Sequence, residues 1–364
     1  MGHRRSDISK GRGALSNPAG RFETQSSQAL DDGWGILEEP LAPVATTVLP
    51  EPARTVIARN DSPDVPFEQS INPYRGCEHG CVYCYARPSH AYVNLSPGLD
   101  FETRLFFKQD AARVLERELA RPAYRCSPIS LGANTDPYQP IERQYRVTRS
   151  LLEVLLRHRH PATIVTKSSL VLRDLDLLVP MAGQGLARVF VSITTLDDDL
   201  KRRMEPRASG PAARLATVRA LAQAGVPVGV LFAPLIPGLN DHELERVLEQ
   251  SAAAGALDAA YILLRLPHEL RELFREWLDA HSPAKAGRVR ALLRELRGGR
   301  DNDPRFGARM TGQGTYARLL SRRLEVAKRR LGLDGSRFPD LNSADFVIPG
   351  RSGPQLELFG SPLS

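Results

Sequence analysis

The hydrophobic pattern from about residue 55 to about residue 264 alternates short apolar runs with stretches in which apolar residues recur at helical spacing. The predicted strands are a segment leading to Ile71 and the runs 127–132, 163–166, 188–193, 227–232 and 260–264. The predicted helices between them are 110–120, 148–158, 170–182, 212–224 and 242–254. Strands that alternate with helices are typical of a parallel sheet with right-handed crossovers. Six such units predict an α/β fold, a partial (β/α)6 barrel of the TIM type, with functional residues at the carboxyl ends of its strands.

Both ends of the chain lack this periodicity. Residues 1–52 are rich in Gly, Ser, Pro and Arg, so they cannot offset the entropy of ordering and are predicted to be a flexible N-terminal segment. The barrel is expected over 53–267, and a C-terminal helical extension over 268–334. In that extension we predict two helices before about residue 297 and a third over 315–331. Residues 335–364 are predicted to be a flexible tail.

Three of the four cysteines fall within eight residues, immediately after the first predicted strand. Cys77, Cys81 and Cys84 have the spacing Cys-x3-Cys-x2-Cys. Three thiolates on one short loop can bind three corners of a 4Fe-4S cluster and leave the fourth iron open to a ligand. Gly76 and Gly80 allow the loop to fold back, so that the sulfurs face one point.

Two other uses of these cysteines fit less well. A zinc site normally needs four protein ligands, and Cys126 is distant in sequence, which leaves His79 as the remaining candidate. Disulfide pairing within the cluster would leave one cysteine unpaired. A non-catalytic module that uses a bound metal or cluster to bind nucleic acid stays open as an alternative.

Composition narrows the class of protein. No run of about 18 apolar residues occurs, so we predict no membrane span and no membrane partner. Clustered cysteines without a secretory signal favour a reducing compartment, and we expect a cytoplasmic protein. The net charge is +7, and only six of the 49 basic residues are lysines.

Polar residues follow several predicted strands. Asp136 lies in the loop after the second strand, Lys167 ends the third, and Ser192 alternates with Phe190 on the fourth. A lysine at a strand end can pair with a ligand carboxylate, although it can also extend its charged end to solvent. A hydroxyl at the position of Ser192 suits ribose or amino-acid contacts, or it satisfies buried backbone groups.

The cysteine spacing, with the aromatic Tyr83 before the third cysteine, resembles the radical S-adenosylmethionine (SAM) superfamily. The Thr-Lys-Ser-Ser strand end at 166–169, the run Arg-Asp-Leu-Asp-Leu-Leu at 173–178, the Ser-Ile-Thr-Thr strand at 192–195 and the turn Leu-Ile-Pro-Gly-Leu-Asn-Asp at 235–241 narrow the likeness to the spore photoproduct lyase-related branch. From residue 10 onward the chain resembles an uncharacterised bacterial subfamily of that branch. The resemblance implies a 4Fe-4S cluster and SAM as cofactors. It also implies reductive cleavage of SAM to a 5′-deoxyadenosyl radical, and an electron donor such as flavodoxin or ferredoxin.

The resemblance also implies roles for individual residues. The cluster ligands would be Cys77, Cys81 and Cys84. Tyr83 would contact adenine. The other residues expected to bind SAM are Lys167, Ser192, Pro237 and Gly238.

One position departs from the lyase pattern. The lyase carries a hydrogen-donating cysteine two residues before an aspartate in the loop after the second strand, and here Asn134 stands two residues before Asp136. This departure puts repair of a photoproduct by the same radical relay in doubt. Asp136 and Tyr85 are the candidate catalytic residues, because a carboxylate or a phenol at the rim can orient a substrate or relay a hydrogen atom.

Two C-terminal features indicate partners. The predicted helix 315–331 carries six basic residues and one acidic residue, Glu325. This charge pattern is compatible with nucleic acid binding and equally with a solvent-exposed helix surface. The segment Gln355, Leu356, Glu357, Leu358 and Phe359 resembles the peptides by which bacterial repair and replication proteins bind the sliding clamp. The sequence therefore predicts a radical SAM enzyme acting on an unidentified substrate, with nucleic acid and DNA repair as hypotheses. An adaptor of the replication or repair machinery is the further alternative.

Overall fold

The computed structural model describes residues 11–22 and 45–350. Its strands are β1 Thr47–Pro50, β2 Ile57–Arg59, β3 Gln69–Ile71, β4 Tyr74–Arg75, β5 Arg104–Phe107, β6 Ile129–Leu131, β7 Ala162–Thr166, β8 Ala187–Ser192, β9 Val228–Leu235 and β10 Asp258–Leu263. Its α-helices are α1 Asp100–Thr103, α2 Ala111–Leu119, α3 Glu142–Tyr145, α4 Val147–Arg157, α5 Leu175–Gly183, α6 Asp198–Met204, α7 Pro211–Gln223, α8 Leu244–Ala253, α9 Leu270–His281, α10 Pro283–Leu296 and α11 Gly314–Leu331. Short 3-10 helices cover Arg87–Val93, Ser169–Asp174 and Asp241–Glu243.

A seven-stranded sheet forms the centre of the molecule. Its strand order is β10-β9-β8-β7-β6-β3-β2, and the pairs from β3 to β10 are parallel. Neighbouring parallel strands therefore follow each other in chain order, as expected for a barrel, and the described strands end at β10 and β2 without closing. The six predicted strands and the α/β partial barrel are confirmed.

The predicted barrel helices are also present, as α2, α4, α5, α7 and α8. The first part of the helix predicted at 170–182 is a 3-10 helix. The sequence pattern missed the antiparallel edge strand β2 and the small sheet β1-β5-β4, because segments of two to four residues are too short to show a period.

Residues in both of the segments that were predicted to be flexible make long-range contacts with the rest of the described chain. Ala14 is buried against the cysteine loop although it lies within 1–52. In the tail, Phe338 packs against Phe190, and the Val347 amide donates to the His158 carbonyl at 2.9 Å. These segments are ordered by long-range contacts that composition does not report. Residues 1–10, 23–44 and 351–364, including the clamp-like peptide, lie outside the described residues.

The C-terminal extension packs its helices on the barrel. The apolar stripe predicted for α11 is confirmed, since Leu320 and Ala327 are buried and Leu324 and Leu331 pack against the core. Three of the basic residues of α11 pair with carboxylates of neighbouring elements: Arg323 with Glu245, Lys328 with Asp258 and Arg330 with Glu249. The positive face expected from sequence is thus partly neutralised. No helix among the described residues is both long and apolar enough to cross a bilayer.

Candidate active site

A cavity of about 150 Å³ opens at the carboxyl ends of the parallel strands. It is lined by side chains from the cysteine loop and from the ends of β6, β7, β8, β9 and β10. The sequence-predicted residues that line it are Cys77, Cys81, Tyr83, Cys84, Tyr85, Asp136, Lys167 and Ser192. Because carboxyl ends of parallel strands share one edge, residues that are distant in sequence meet there.

The cysteine loop turns at two glycines with left-handed backbone. Gly76 has φ +74° and Gly80 has φ +68°, a region that favours glycine. A Cβ on Gly76 would lie 2.6 Å from Leu105 Cδ2, and one on Gly80 would lie 2.6 Å from Glu102 Oε2. The two glycines are therefore required both by conformation and by space, as the sequence predicted.

A buried arginine, Arg87, holds the backbone of the cysteine loop. Arg87 donates from Nε to the Cys81 carbonyl at 2.8 Å and from Nη1 to the Gly98 carbonyl at 2.8 Å, and it pairs with Glu102. Glu102 also accepts hydrogen bonds from the amides of Gly13 at 3.0 Å and Ala14 at 2.8 Å. Sequence reasoning missed this clamp, because its parts are separated by up to 89 residues.

A buried glutamine ties the loop to the barrel. Gln139 donates from Nε2 to the Gly76 carbonyl at 3.1 Å and accepts from the Glu78 amide at 2.9 Å. Gln139 lies in the loop after β6, so these two hydrogen bonds join the cysteine loop to the rim of the sheet.

The three loop cysteines are free thiols in the structure. Burial raises the pKa of the Cys77 thiol well above its usual range and that of Cys81 to about 12. A group that binds their thiolates must therefore supply positive charge, as a metal cluster does.

The donor set of the loop is three thiols. Within residues 11–22 and 45–350, no group of three or more His, Cys, Asp or Glu side chains is placed so as to hold a single metal ion. In an iron–sulfur cluster each thiolate binds a different iron, so three thiols on one loop are donors of the kind that such a cluster uses.

A hydrogen-bond network surrounds Tyr83. Its hydroxyl bonds to Glu205 and lies 3.2 Å from Thr194 Oγ1. Glu205 accepts from Arg214 Nη2 at 2.6 Å, and both of these side chains are buried. Burial alone would raise the pKa of Glu205, but the charges of Arg214 and Lys167 lower it. Neither Glu205 nor Arg214 was identified from sequence, because each lies in a helical region with no distinguishing spacing.

Comparison with known proteins identifies the family. The model of the radical SAM superfamily matches residues 71–250, from β3 through most of α8. A protein of Mycobacterium bovis is 40% identical over 232 residues, which cover 63% of this chain and 68% of that relative.

The chain belongs to the radical SAM superfamily.

The superfamily assignment implies SAM and an iron–sulfur cluster. A protein of Methanocaldococcus jannaschii is 29% identical over 173 residues, covering 48% of this chain and 62% of the relative. Spore photoproduct lyase complexed with dinucleoside spore photoproduct has a similar fold, with a TM-score of 0.55 and 18% identity, covering 78% of this chain and 79% of that one. At this identity the likeness concerns the fold alone.

Of the residues that are expected to bind SAM in this radical SAM protein, Lys167 and Ser192 line the cavity and two others do not. Lys167 places Nζ 5.9 Å from the centre of the Tyr83 ring, and Ser192 donates to the Ala233 carbonyl at 3.3 Å. Burial would lower the pKa of Lys167, but the negative charges of Cys81, Glu205 and Asp136 raise it. Pro237 and Gly238 do not line the cavity. A Cβ on Gly238 would meet Leu292 of α10 at 3.3 Å, so this turn faces the C-terminal extension in the structure.

The Asp136 carboxylate is hydrogen-bonded by neighbouring groups at the rim of the sheet. It accepts from the Lys167 amide at 2.7 Å and the Thr166 hydroxyl at 2.7 Å, and it lies 3.3 Å from His79 Nδ1. Burial alone would raise the pKa of Asp136. The His79 ring and these hydrogen bonds outweigh that effect and lower the pKa to about 2. The geometry therefore favours a positioning role for a residue that the sequence presented as a catalytic candidate.

Asp136→Asn is expected to lower the free energy of unfolding of the cluster-free chain by about 2 kcal/mol at pH 7, since the depressed pKa stabilises the fold. The stabilisation is present above the ordinary pKa and is lost as the pH falls from about 4 to about 2, so the deficit should shrink over that range. Urea denaturation at pH 7 and pH 3 measures it. Asp110→Asn, at an exposed carboxylate, is the matched control. Full stability of Asp136→Asn together with lost product formation would instead support the catalytic role.

Gly13→Ala is expected to detach residues 11–22 from the cysteine loop, because the added Cβ would lie 1.7 Å from the Gly80 carbonyl oxygen. Limited trypsin digestion should then cut faster after Arg21, which is paired with Glu269 in the structure. Gly183→Ala is the control, since nothing lies within 4 Å of its added Cβ. Equal cleavage rates in the two variants would contradict the docked segment.

Proposed function

We propose that this chain is an enzyme that binds a 4Fe-4S cluster through Cys77, Cys81 and Cys84 and cleaves SAM reductively to begin hydrogen abstraction from a substrate. The observation that carries the proposal is that three free thiols line one cavity together with Lys167, a residue that is distant from them in sequence. The bound cluster of such enzymes supplies the electron that divides SAM into methionine and a 5′-deoxyadenosyl radical.

The chain's own residues would bind and orient the cofactor. Lys167 is a cation inside the cavity and suits the carboxylate of SAM. The Tyr83 ring would pack against adenine, with its hydroxyl held by Glu205. The Ser192 hydroxyl lines the same wall and suits a ribose or amino-acid contact. Burial of these groups keeps water from the radical.

Nucleic acid is the substrate class that we carry forward. Two facts support it: the solved lyase of similar fold was found with a dinucleoside photoproduct, and the chain has a net charge of +7. Asn134 lines the cavity where the lyase pattern has a hydrogen-donating cysteine, so the reaction would differ from that of the lyase.

The remaining partners follow from the chemistry and the sequence. Reductive cleavage consumes an electron, so a donor such as flavodoxin or ferredoxin is required. The sliding clamp stays a proposal that depends on Gln355, Leu356, Leu358 and Phe359, which lie outside the described residues.

Anaerobic reconstitution of the full chain tests the proposal. About four irons per chain, together with 5′-deoxyadenosine released on addition of SAM and a reductant, are expected. Bound zinc without SAM cleavage would favour the non-catalytic module instead.

Replacing Cys77, Cys81 or Cys84 with alanine should abolish iron incorporation and SAM cleavage while the chain stays folded, because the main hydrophobic core of the sheet does not include the cysteine loop. Iron content, 5′-deoxyadenosine release and circular dichroism measure the three properties. Cys126→Ala, which alters a thiol that does not line the cavity, is the control and should retain all of them. A loop variant that still cleaves SAM would disprove the ligand assignment.

Lys167→Ala should weaken SAM binding by more than about 1 kcal/mol, the upper range of an exposed ion pair, because water screens a charge pair less in a cavity than at the surface. Iron content should be unchanged. Equilibrium titration with SAM measures the effect, and Lys285→Ala, at an exposed lysine of α10, is the control. Equal SAM affinity in the two variants would show that Lys167 does not bind SAM and extends its charged end to solvent instead.

A further inference from the structure

Arg265 is the charged side chain of the cavity that the proposed chemistry leaves unused. The cavity also contains Lys167, which is proposed for SAM, and His79, which faces Asp136. Arg265 follows β10 by two residues and lies beside Tyr85, whose side chain is exposed. Its guanidinium carbon is 5.3 Å from the centre of the Tyr85 ring.

Arg265 lacks an oxygen acceptor in the part of the chain that the structure describes. Its one hydrogen bond goes from Nη1 to the sulfur of Met310 at 3.9 Å, and it forms no ion pair with a described carboxylate. Asp64, the carboxylate that acts on it electrostatically, is held by Arg309 Nε at 2.5 Å and by the Gly307 amide at 2.6 Å. A guanidinium prefers the oxygens of a carboxylate or phosphate, so most of its donors stay available.

The backbone on both sides of this guanidinium is fixed. The buried Arg297 donates from Nη2 to the Leu264 carbonyl at 2.8 Å and from Nη1 to the Arg309 carbonyl at 2.9 Å. The Leu263 amide donates to the Met310 carbonyl at 2.8 Å. These bonds attach the segment around Met310 to the end of β10, so little freedom is lost when Arg265 takes a ligand.

The ring beneath Arg265 is also anchored. The Tyr85 hydroxyl donates to the Ala133 carbonyl, which joins the cysteine loop to the loop after β6. Burial and the neighbouring Arg309 lower the pKa of Arg265, against the opposing effects of Tyr85 and Asp64. An anion held beside the guanidinium would favour its charged form.

We propose that Arg265 binds an oxyanion of the substrate, a phosphate or a carboxylate, where the cavity opens beside Tyr85. The inference rests on the proposed function, since it assigns the substrate of that site an anionic group. A planar guanidinium can bind such a group through two parallel hydrogen bonds and thereby fix its orientation. Hydrogen abstraction depends on that orientation, because the reacting atoms must be held close together.

The test uses the reconstituted full chain saturated with SAM, so that the carboxylate site of the cofactor is filled. Inorganic phosphate and acetate are titrated by ligand-observed NMR, with uncharged acetamide as the blank. Arg265→Gln should weaken binding of the preferred anion by about tenfold or more, and Arg265→Lys should recover part of it. Arg271→Gln, which changes an exposed arginine bonded to the His268 carbonyl, should match the parent. A preference for phosphate or for acetate identifies the anionic group.

Three results would overturn the inference. The first is that neither anion binds the parent chain measurably more than acetamide does. The second is equal anion binding by the parent and by Arg265→Gln. The third is a loss of affinity for SAM itself in Arg265→Gln, which would assign this arginine to the cofactor. SAM cleavage in the parent is recorded separately, so its absence would count against the proposed function while the anion titration still decides the role of Arg265.

Discussion

Glu102 is the buried carboxylate on which the shape of the cysteine loop depends. It pairs with Arg87, which holds the Cys81 carbonyl, and it accepts the amides of Gly13 and Ala14. Both charged side chains are fully buried, and removal of one partner from such a pair typically costs about 3–5 kcal/mol. The loop, the N-terminal segment and the start of the 3-10 helix are thus held together by one buried charge pair.

The charges around the cavity fall into two groups. Asp136 is enclosed by donors from the rim, and Glu205 is paired with Arg214, so both carboxylates stabilise the architecture. Lys167 and Arg265 form no contact ion pair with the described residues and line the same cavity. Two cations in one cavity attract anionic ligands, and SAM carries one carboxylate. The second cation is the basis of the proposal that the substrate is anionic.

The fold alone does not identify that substrate. The likeness to spore photoproduct lyase extends over 78% of this chain at 18% identity, and proteins with the same architecture support different reactions. Asn134 cannot donate a hydrogen atom as a thiol does, and the cations of α11 are partly neutralised by α8. The reaction must consequently be inferred from the groups that line the cavity.

The sequence by itself determined the order of β/α units and the cysteine loop, because both depend on local spacing. The six parallel strands and the left-handed glycines at 76 and 80 are where the pattern placed them. Lys167 and Ser192 were identified correctly as cavity residues, because strand ends in a parallel sheet share one edge. Their part in binding SAM is still a prediction.

Only the tertiary structure decided which side chains neutralise one another. The Gly13 amide donates to Glu102, Arg214 pairs with Glu205, and the Asp136 carboxylate accepts the Lys167 amide. The tertiary structure also placed residues of 11–22 and 335–350 against the barrel, in segments that composition had predicted to be flexible. The physical reason is that these contacts join residues far apart in the chain, and their energies depend on burial and distance, which hydrophobic periodicity does not encode.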